Sequence, residues 1–158
     1  MTADSRAFRS ALGLFATGVT VVTTGDGGGR TAGMTVNSFS SVSLDPPLIL
    51  WCLGKGSPSQ PVFEAAGHFA VNVLAAGQEA LSTQFARPGD KFAGVDWRPG
   101  RFGDPLIEGA IATFECRTTA RHDAGDHLIL VGQVAHFDHR DGEPLLFFGG
   151  RYGRLTSQ

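Results

Sequence analysis

The sequence predicts a mainly β fold, a closed or nearly closed antiparallel barrel decorated with short helices. Three observations predict it. Short β-branched or apolar runs recur along the 158 residues, most of them joined by turn signals. One run, 112–121, alternates strictly, with Ala112, Phe114, Cys116, Thr118 and Ala120 on one face and Thr113, Glu115, Arg117, Thr119 and Arg121 on the other. Such a pattern marks a half-solvated antiparallel strand. Glycine, at 22 residues, stands at about twice its usual share, which supplies turns and sites open to close backbone approach. A single domain over 1–158 is expected, without internal repeat or linker.

The elements follow in order. Residues 4–17 read as a helix with Phe8, Leu12 and Phe15 on one face, ended by Gly18. The run 19–24 is β-branched throughout and reads as a strand. Asp26-Gly27-Gly28-Gly29 is a turn, and 30–36 returns as the second strand of a hairpin. Residues 37–47 are polar and serine-rich and end in Asp45-Pro46-Pro47, which no helix tolerates. The apolar run 48–53 is a strand, Ser57-Pro58-Ser59 opens a helix reaching about Ala66, 69–74 is a strand and 78–86 a helix. Residues 87–109 carry Pro and Gly every few positions and read as loop with short strands. After the alternating strand, Ala124-Gly125-Asp126 turns into a partner strand, 127–137, apolar on both faces. Asp141-Gly142 marks a further hairpin turn with 145–148 returning, and 149–155 is too short for another element.

Composition narrows the function. With 18% charged residues, a net charge of −2 and no basic stripe, neither disorder nor phosphate-neutralising contact with nucleic acid is expected. The longest apolar run has six residues, against about 20 needed to span a bilayer. No cleavage pattern follows the mildly apolar 11–19, so no signal peptide or membrane partner is expected. Cys52 and Cys116 lack metal or redox spacing, which suits reduced thiols in a cytoplasmic protein. His136, Asp138 and His139 read as a solvated strand end beside a turn, and no metal site is expected.

Four motifs carry candidate chemistry. Residues 27–32 match G-x-G-x-x-A after a strand, but 34–39 has poor helix propensity where a dinucleotide fingerprint needs a helix, so this is a hairpin turn. Ser57-Pro58-Ser59, with Ser57 as N-cap and Pro58 at N1, offers free N–H groups to a phosphate, and Lys55 adds a charge two residues earlier. The same pattern is also an ordinary cap. Between two apolar strands, Thr35, Asn37, Ser38, Ser40, Ser41 and Ser43 give many uncharged hydrogen-bonding groups, suited to the polar edge of a planar heterocycle or to a self-bonded loop. His127 follows a turn and reads as a capping histidine, an acid/base group or a nicotinamide contact.

The blocks GMTVNSFSSVSLDPPLIL, FAVNVLA, LSTQFA with DKFAGVDW, GDHLILVGQV and PLLFFGGRYGRL occur in this order. Over about 8–155 the chain thereby resembles the flavin reductase-like family, the short-chain NAD(P)H:flavin oxidoreductases that serve two-component flavin-dependent monooxygenases. The resemblance implies a split-barrel FMN-binding fold of Greek-key-like connection. It also implies a homodimer with flavin near the subunit interface, and hydride transfer from NADH or NADPH to FMN or FAD. Reduced flavin would then diffuse to a partner monooxygenase. By the same resemblance Met34, Thr35, Val36, Asn37 and Ser38, with Ser41 nearby, match the flavin-ring loop. Cys52, Leu53, Lys55, Ser57 and Ser59 match the next strand and phosphate loop; Ser59 stands where relatives often have Thr, which keeps the hydroxyl. Ser82, Phe85, Lys91 and Phe92 resemble a further flavin-contacting stretch. His127 and Tyr152 match positions near the nicotinamide, His127 as a hydrogen-bond donor or positioning group and not as an essential base. Gly33, Gly149, Gly150 and Gly153 lie beside these segments. Arg87, Arg121 and Arg151 are candidates for a 2′-phosphate. Two alternatives stay open: a flavin-binding carrier without turnover, and a flavoenzyme of the same fold reducing another small acceptor.

Overall fold

The structure, a computed structural model, describes residues 3–156. Helix α1 (Ala3–Leu12) is followed by strands β1 (Thr17–Gly18), β2 (Thr20–Gly25), β3 (Thr31–Val36), β4 (Ser40–Leu44) and β5 (Pro47–Gly54). Then come helix α2 (Gln60–Ala66), strand β6 (His68–Val73), helix α3 (Glu79–Ala86) and short strands β7 (Trp97–Pro99) and β8 (Pro105–Ile107). A long hairpin of β9 (Ala112–Ala124) and β10 (His127–His139) precedes β11 (Leu146–Phe148) and β12 (Arg151–Gly153).

Seven strands form one antiparallel sheet in the order β3-β2-β6-β9-β10-β5-β4. The chain is mainly β, as expected, but this ladder of hydrogen bonds does not close into a barrel: β3 and β4 are its edges. Every residue of β2 is buried, which explains why its sequence is β-branched throughout instead of alternating. Val22 packs into a core with Trp51, Phe63 and Phe69, while Val21 joins Leu74, Phe85, Ile107 and Leu145 in a second. Trp51 meets Phe63 and Phe69 edge-on, with centroids 5.0 and 5.7 Å apart. Among the described residues no helix is long and apolar enough to cross a membrane. Both cysteines are free, and burial pushes the Cys116 thiol up to about 12.

Several expectations need correction. Helix α1 stops at Leu12, where Gly13 leaves the helix with its amide on Arg9 O at 3.0 Å. The serine-rich link contains β4, whose hydroxyls are tolerated because an edge strand pairs on one side and faces solvent on the other. Helix α2 starts at Gln60 with Ser59, not Ser57, as N-cap and with Pro61 in its first turn. It ends where expected, at Gly67 with φ 69°. β11 does not return along β10 but pairs with β1 and β12. Glu143 and Leu145 are drawn instead to the end of β6, through Ala76 N–H to Glu143 O at 2.7 Å and Leu145 N–H to Leu74 O at 2.9 Å. The tail, read as too short for an element, forms β12. The alternation of β9 fails at Glu115, which is 4% exposed because its carboxylate accepts the Arg101 amide.

Candidate functional site

A cavity of about 580 Å³ opens beside β3. One wall is Thr31 to Thr35 of β3, another is Ser57, Pro58 and Ser59, and the third is Phe85 with the 86–92 loop. β3 pairs only with β2, so backbone N–H and C=O groups on its free side face outward. The geometry thus brings together seven of the candidate residues: Met34, Thr35, Ser57, Ser59, Phe85, Lys91 and Phe92. A smaller cavity of about 150 Å³ lies among Arg98, residues 106–113 and Arg140, away from all of them.

The walls are braced. Phe85 and Phe92 pack edge-on at 5.0 Å. A Cβ on Gly33 would stand 2.6 Å from Phe85 Cε1, so this glycine admits the α3 aromatic, not a ligand, against β3. Thr35 Oγ1 donates to Ser82 O at 2.6 Å, and Ser82 Oγ lies 2.8 Å from Tyr152 Oη, linking β3, α3 and β12. Gln84 Nε2 donates to Lys91 O and Ala93 O, both at 2.9 Å, and folds the loop back. Lys91 Nζ donates to Phe85 O at 2.9 Å, and burial lowers its ammonium pKa. Ser57 Oγ accepts the Ser59 amide at 3.3 Å, while Ser59 makes no capping bond with its hydroxyl.

The other candidates stand elsewhere. Val36 and Leu53 are core residues, so any contact of theirs with a ligand is through the backbone. Asn37 and Ser41 are exposed. Ser38 Oγ accepts the Cys52 amide at 2.9 Å and ties the β3–β4 link to β5. Ser82 and Tyr152 bond to each other behind the wall. His127 begins β10 opposite Gly54, partly exposed, with Nδ1 2.7 Å from Asp126 Oδ1. That bond holds the Asp126 carboxyl below its usual range. Lys55 directs its ammonium to Asp123 at 2.6 Å and Gly125 O at 2.7 Å. Of the three arginines weighed, only Arg87 lines the cavity. Pro88, Gly89 and Asp90 also line it, and their only signal in the sequence is that of a loop.

The family model described as "Flavin reductase like domain" matches residues 12–156. The "FMN reductase (NADH) SmoA" of Agrobacterium fabrum is 55% identical over 155 residues, 98% of this chain and 88% of that protein. The "Flavin-dependent monooxygenase, reductase subunit HsaB" of Mycobacterium tuberculosis is 44% identical over 94% of this chain and 81% of its own length. Among solved structures, the Streptomyces globisporus C-1027 NADH:FAD oxidoreductase SgcE6 superposes with a TM-score of 0.93 at 44% identity, covering 99% of this chain and 96% of that one. The same enzyme in complex with NAD and FAD fragments gives 0.92 at 45% identity, covering 97% and 93%.

Proposed function

The chain belongs to the flavin reductase-like family, and we propose that it is an NAD(P)H:flavin oxidoreductase supplying reduced flavin to a partner monooxygenase. The observation that carries this is the cavity beside β3, whose donor set suits a flavin nucleotide. The free edge of β3 offers alternating N–H and C=O groups to a planar ring's polar edge. The Ser57 to Ser59 loop offers hydroxyls and amides to a phosphate. Lys91 and Arg87 add positive charge there, and a phosphate would offset the desolvation of Lys91.

Bound flavin supplies the ring atom that accepts a hydride from the nicotinamide. The chain's own part is orientation, because two stacked rings at about 3–3.5 Å need placement and no protein nucleophile. On this reading β3 and the 57–59 loop would hold two ends of the nucleotide, Phe85 and Phe92 would exclude water from the wall, and His127, which the resemblance assigns to the nicotinamide, would donate a hydrogen bond to it.

Several finer features belong to this reading. The two edge strands, β3 and β4, follow each other in the chain with only residues 37–39 between them. On this reading the sheet curls so that these edges approach at one end, a split barrel joined by the chain and not by hydrogen bonds, and we take 1–158 as one such domain. Phe8, Leu12, Leu14, Phe15 and Phe148 are exposed, and Gly149 N–H to Gly13 O at 2.8 Å sets two of these segments side by side. A homodimer covering this apolar surface fits the reading, and the two free thiols suit a reducing cytoplasm.

The test is oxidation of NADH and NADPH with FMN, FAD and riboflavin in turn. Nicotinamide oxidation is expected only when flavin is present. A protein that binds flavin and stays yellow without oxidising either nicotinamide would make it a carrier instead.

A further inference from the structure

Lys55 lies two residues before the serine loop, yet its bonds run to the tip of the β9–β10 hairpin. Nζ reaches Asp123 Oδ2 at 2.6 Å and Gly125 O at 2.7 Å, and the Lys55 amide donates to Asp126 O at 2.9 Å. An ammonium has three donors and no acceptor, and two of the three are committed to this turn. Residue 54, next to Lys55, is the ladder partner of His127. A Cβ on Gly54 would stand 3.8 Å from His127 Nε2, while Asp126 holds Nδ1.

We propose that Lys55 is a positioning residue, a strut that locks the 123–126 turn to the strand leading into the serine loop and so fixes where the His127 ring stands for the nicotinamide. This rests on the flavin reductase reading. The turn ends a hairpin of two 13-residue strands, and its carboxylates are exposed. An exposed ion pair alone is worth at most about 1 kcal/mol. Three bonds from one residue onto one turn constrain its orientation far more than they stabilise the fold. Asp126 sets one ring nitrogen of His127 and the glycine before Lys55 leaves room at the other, so the strut aligns both ends of the ring with the same stretch of backbone.

The experiment compares Lys55→Met and Lys55→Arg in the full chain, with FMN and with riboflavin, which lacks the phosphate. Lys55→Met is expected to raise the nicotinamide KM by about three- to tenfold with either flavin. The FMN dissociation constant should stay within about twofold, and Lys55→Arg should recover most of the KM, because it keeps the charge and donors. A defect present with FMN and absent with riboflavin would make Lys55 a phosphate ligand and overturn the strut. An unchanged KM would overturn it too. Hydrogen exchange at residues 122–128 reads the strut without turnover: faster exchange in Lys55→Met supports it and unchanged exchange refutes it. A wild-type chain that oxidises no nicotinamide would count against the reductase reading and leave this exchange test standing.

Discussion

Two sets of polar side chains, one inside the fold and one on the cavity wall, differ in how their bonds close. Between β2, β6 and β8, Asn72 donates to Val21 O at 3.1 Å and Thr23 Oγ1 at 3.2 Å, and accepts the Ile107 amide at 2.8 Å. Thr23 donates to Pro105 O at 2.6 Å, Thr20 to Val36 O at 3.0 Å and Thr24 to His68 O at 2.8 Å. All four side chains are buried, and their partners are backbone or one another. Beside β3 the bonds are incomplete by comparison: Ser57 accepts one long bond and Ser59 caps nothing with its hydroxyl. A buried polar group whose bonds close within the fold holds the fold together. One left with spare donors at a cavity wall is available to a ligand.

The first way to break this division is Asn72→Leu. It leaves the Ile107 amide and its neighbours buried without partners, at a cost of about 3 kcal/mol. The thermal midpoint should fall by roughly 6–12 °C, while flavin affinity of the folded protein stays as it was. A midpoint near wild type would show that the polar layer is not structural. The converse variant is Ser57→Ala with Ser59→Ala. Each lost bond to a phosphate is worth roughly 1.5–3 kcal/mol, so FMN should bind at least about tenfold more weakly. Riboflavin binding and the thermal midpoint should hardly move. Equal losses for both flavins, measured by fluorescence titration, would put the phosphate elsewhere.

The same contrast separates what the sequence makes legible from what it hides. The β2–β3 hairpin, β5 and the β9–β10 hairpin carry local signals: β-branched runs, an Asp-Gly-Gly-Gly turn, an alternating strand and a Gly-Asp turn. β4 has none, because its serines satisfy an edge strand only through the neighbouring β5 ladder. β11 depends on β1, more than a hundred residues earlier in the chain, and no local pattern announces that pairing; β12 follows locally, through the Gly149-Gly150 turn whose two glycines both have positive φ. In the cavity, only the serine loop and Thr35 have chemistry of their own in the sequence; Met34, Phe85, Lys91 and Phe92 are reached through family resemblance. Residues 87–90 join them because Gln84 folds their loop back, a contact that composition does not encode. Lys55 looks like a loop cation by spacing, yet its carboxylate partner is 68 residues away.

The charged member of the structural layer gives the smallest and most selective test. Asp104 is 1% exposed, accepts the Gly25 amide at 3.0 Å and lies 2.8 Å from His68 Nδ1. Burial raises its carboxyl above the ordinary 3.8, and this outweighs the lowering by His68 and the Gly25 amide. A carboxyl raised in the folded state is bound to its proton more firmly there than in the unfolded chain. Its contribution to stability is therefore full below about pH 4 and is lost as pH rises through the raised value. Once ionised, Asp104 is a burden that His68 and the Gly25 amide only partly offset. Asp104→Asn keeps an acceptor for the Gly25 amide and removes the titration. Relative to wild type, the variant should melt comparatively higher at pH 7 than near pH 4, with FMN affinity at neutral pH unaltered. A difference in midpoint that is the same at both pH values would mean that His68 and the amide cancel the burial. A difference of opposite sign would place the folded carboxyl below 3.8 and make the pair a net stabilising one. A change in FMN affinity would join Asp104 to the cavity and erase the division between the two polar sets.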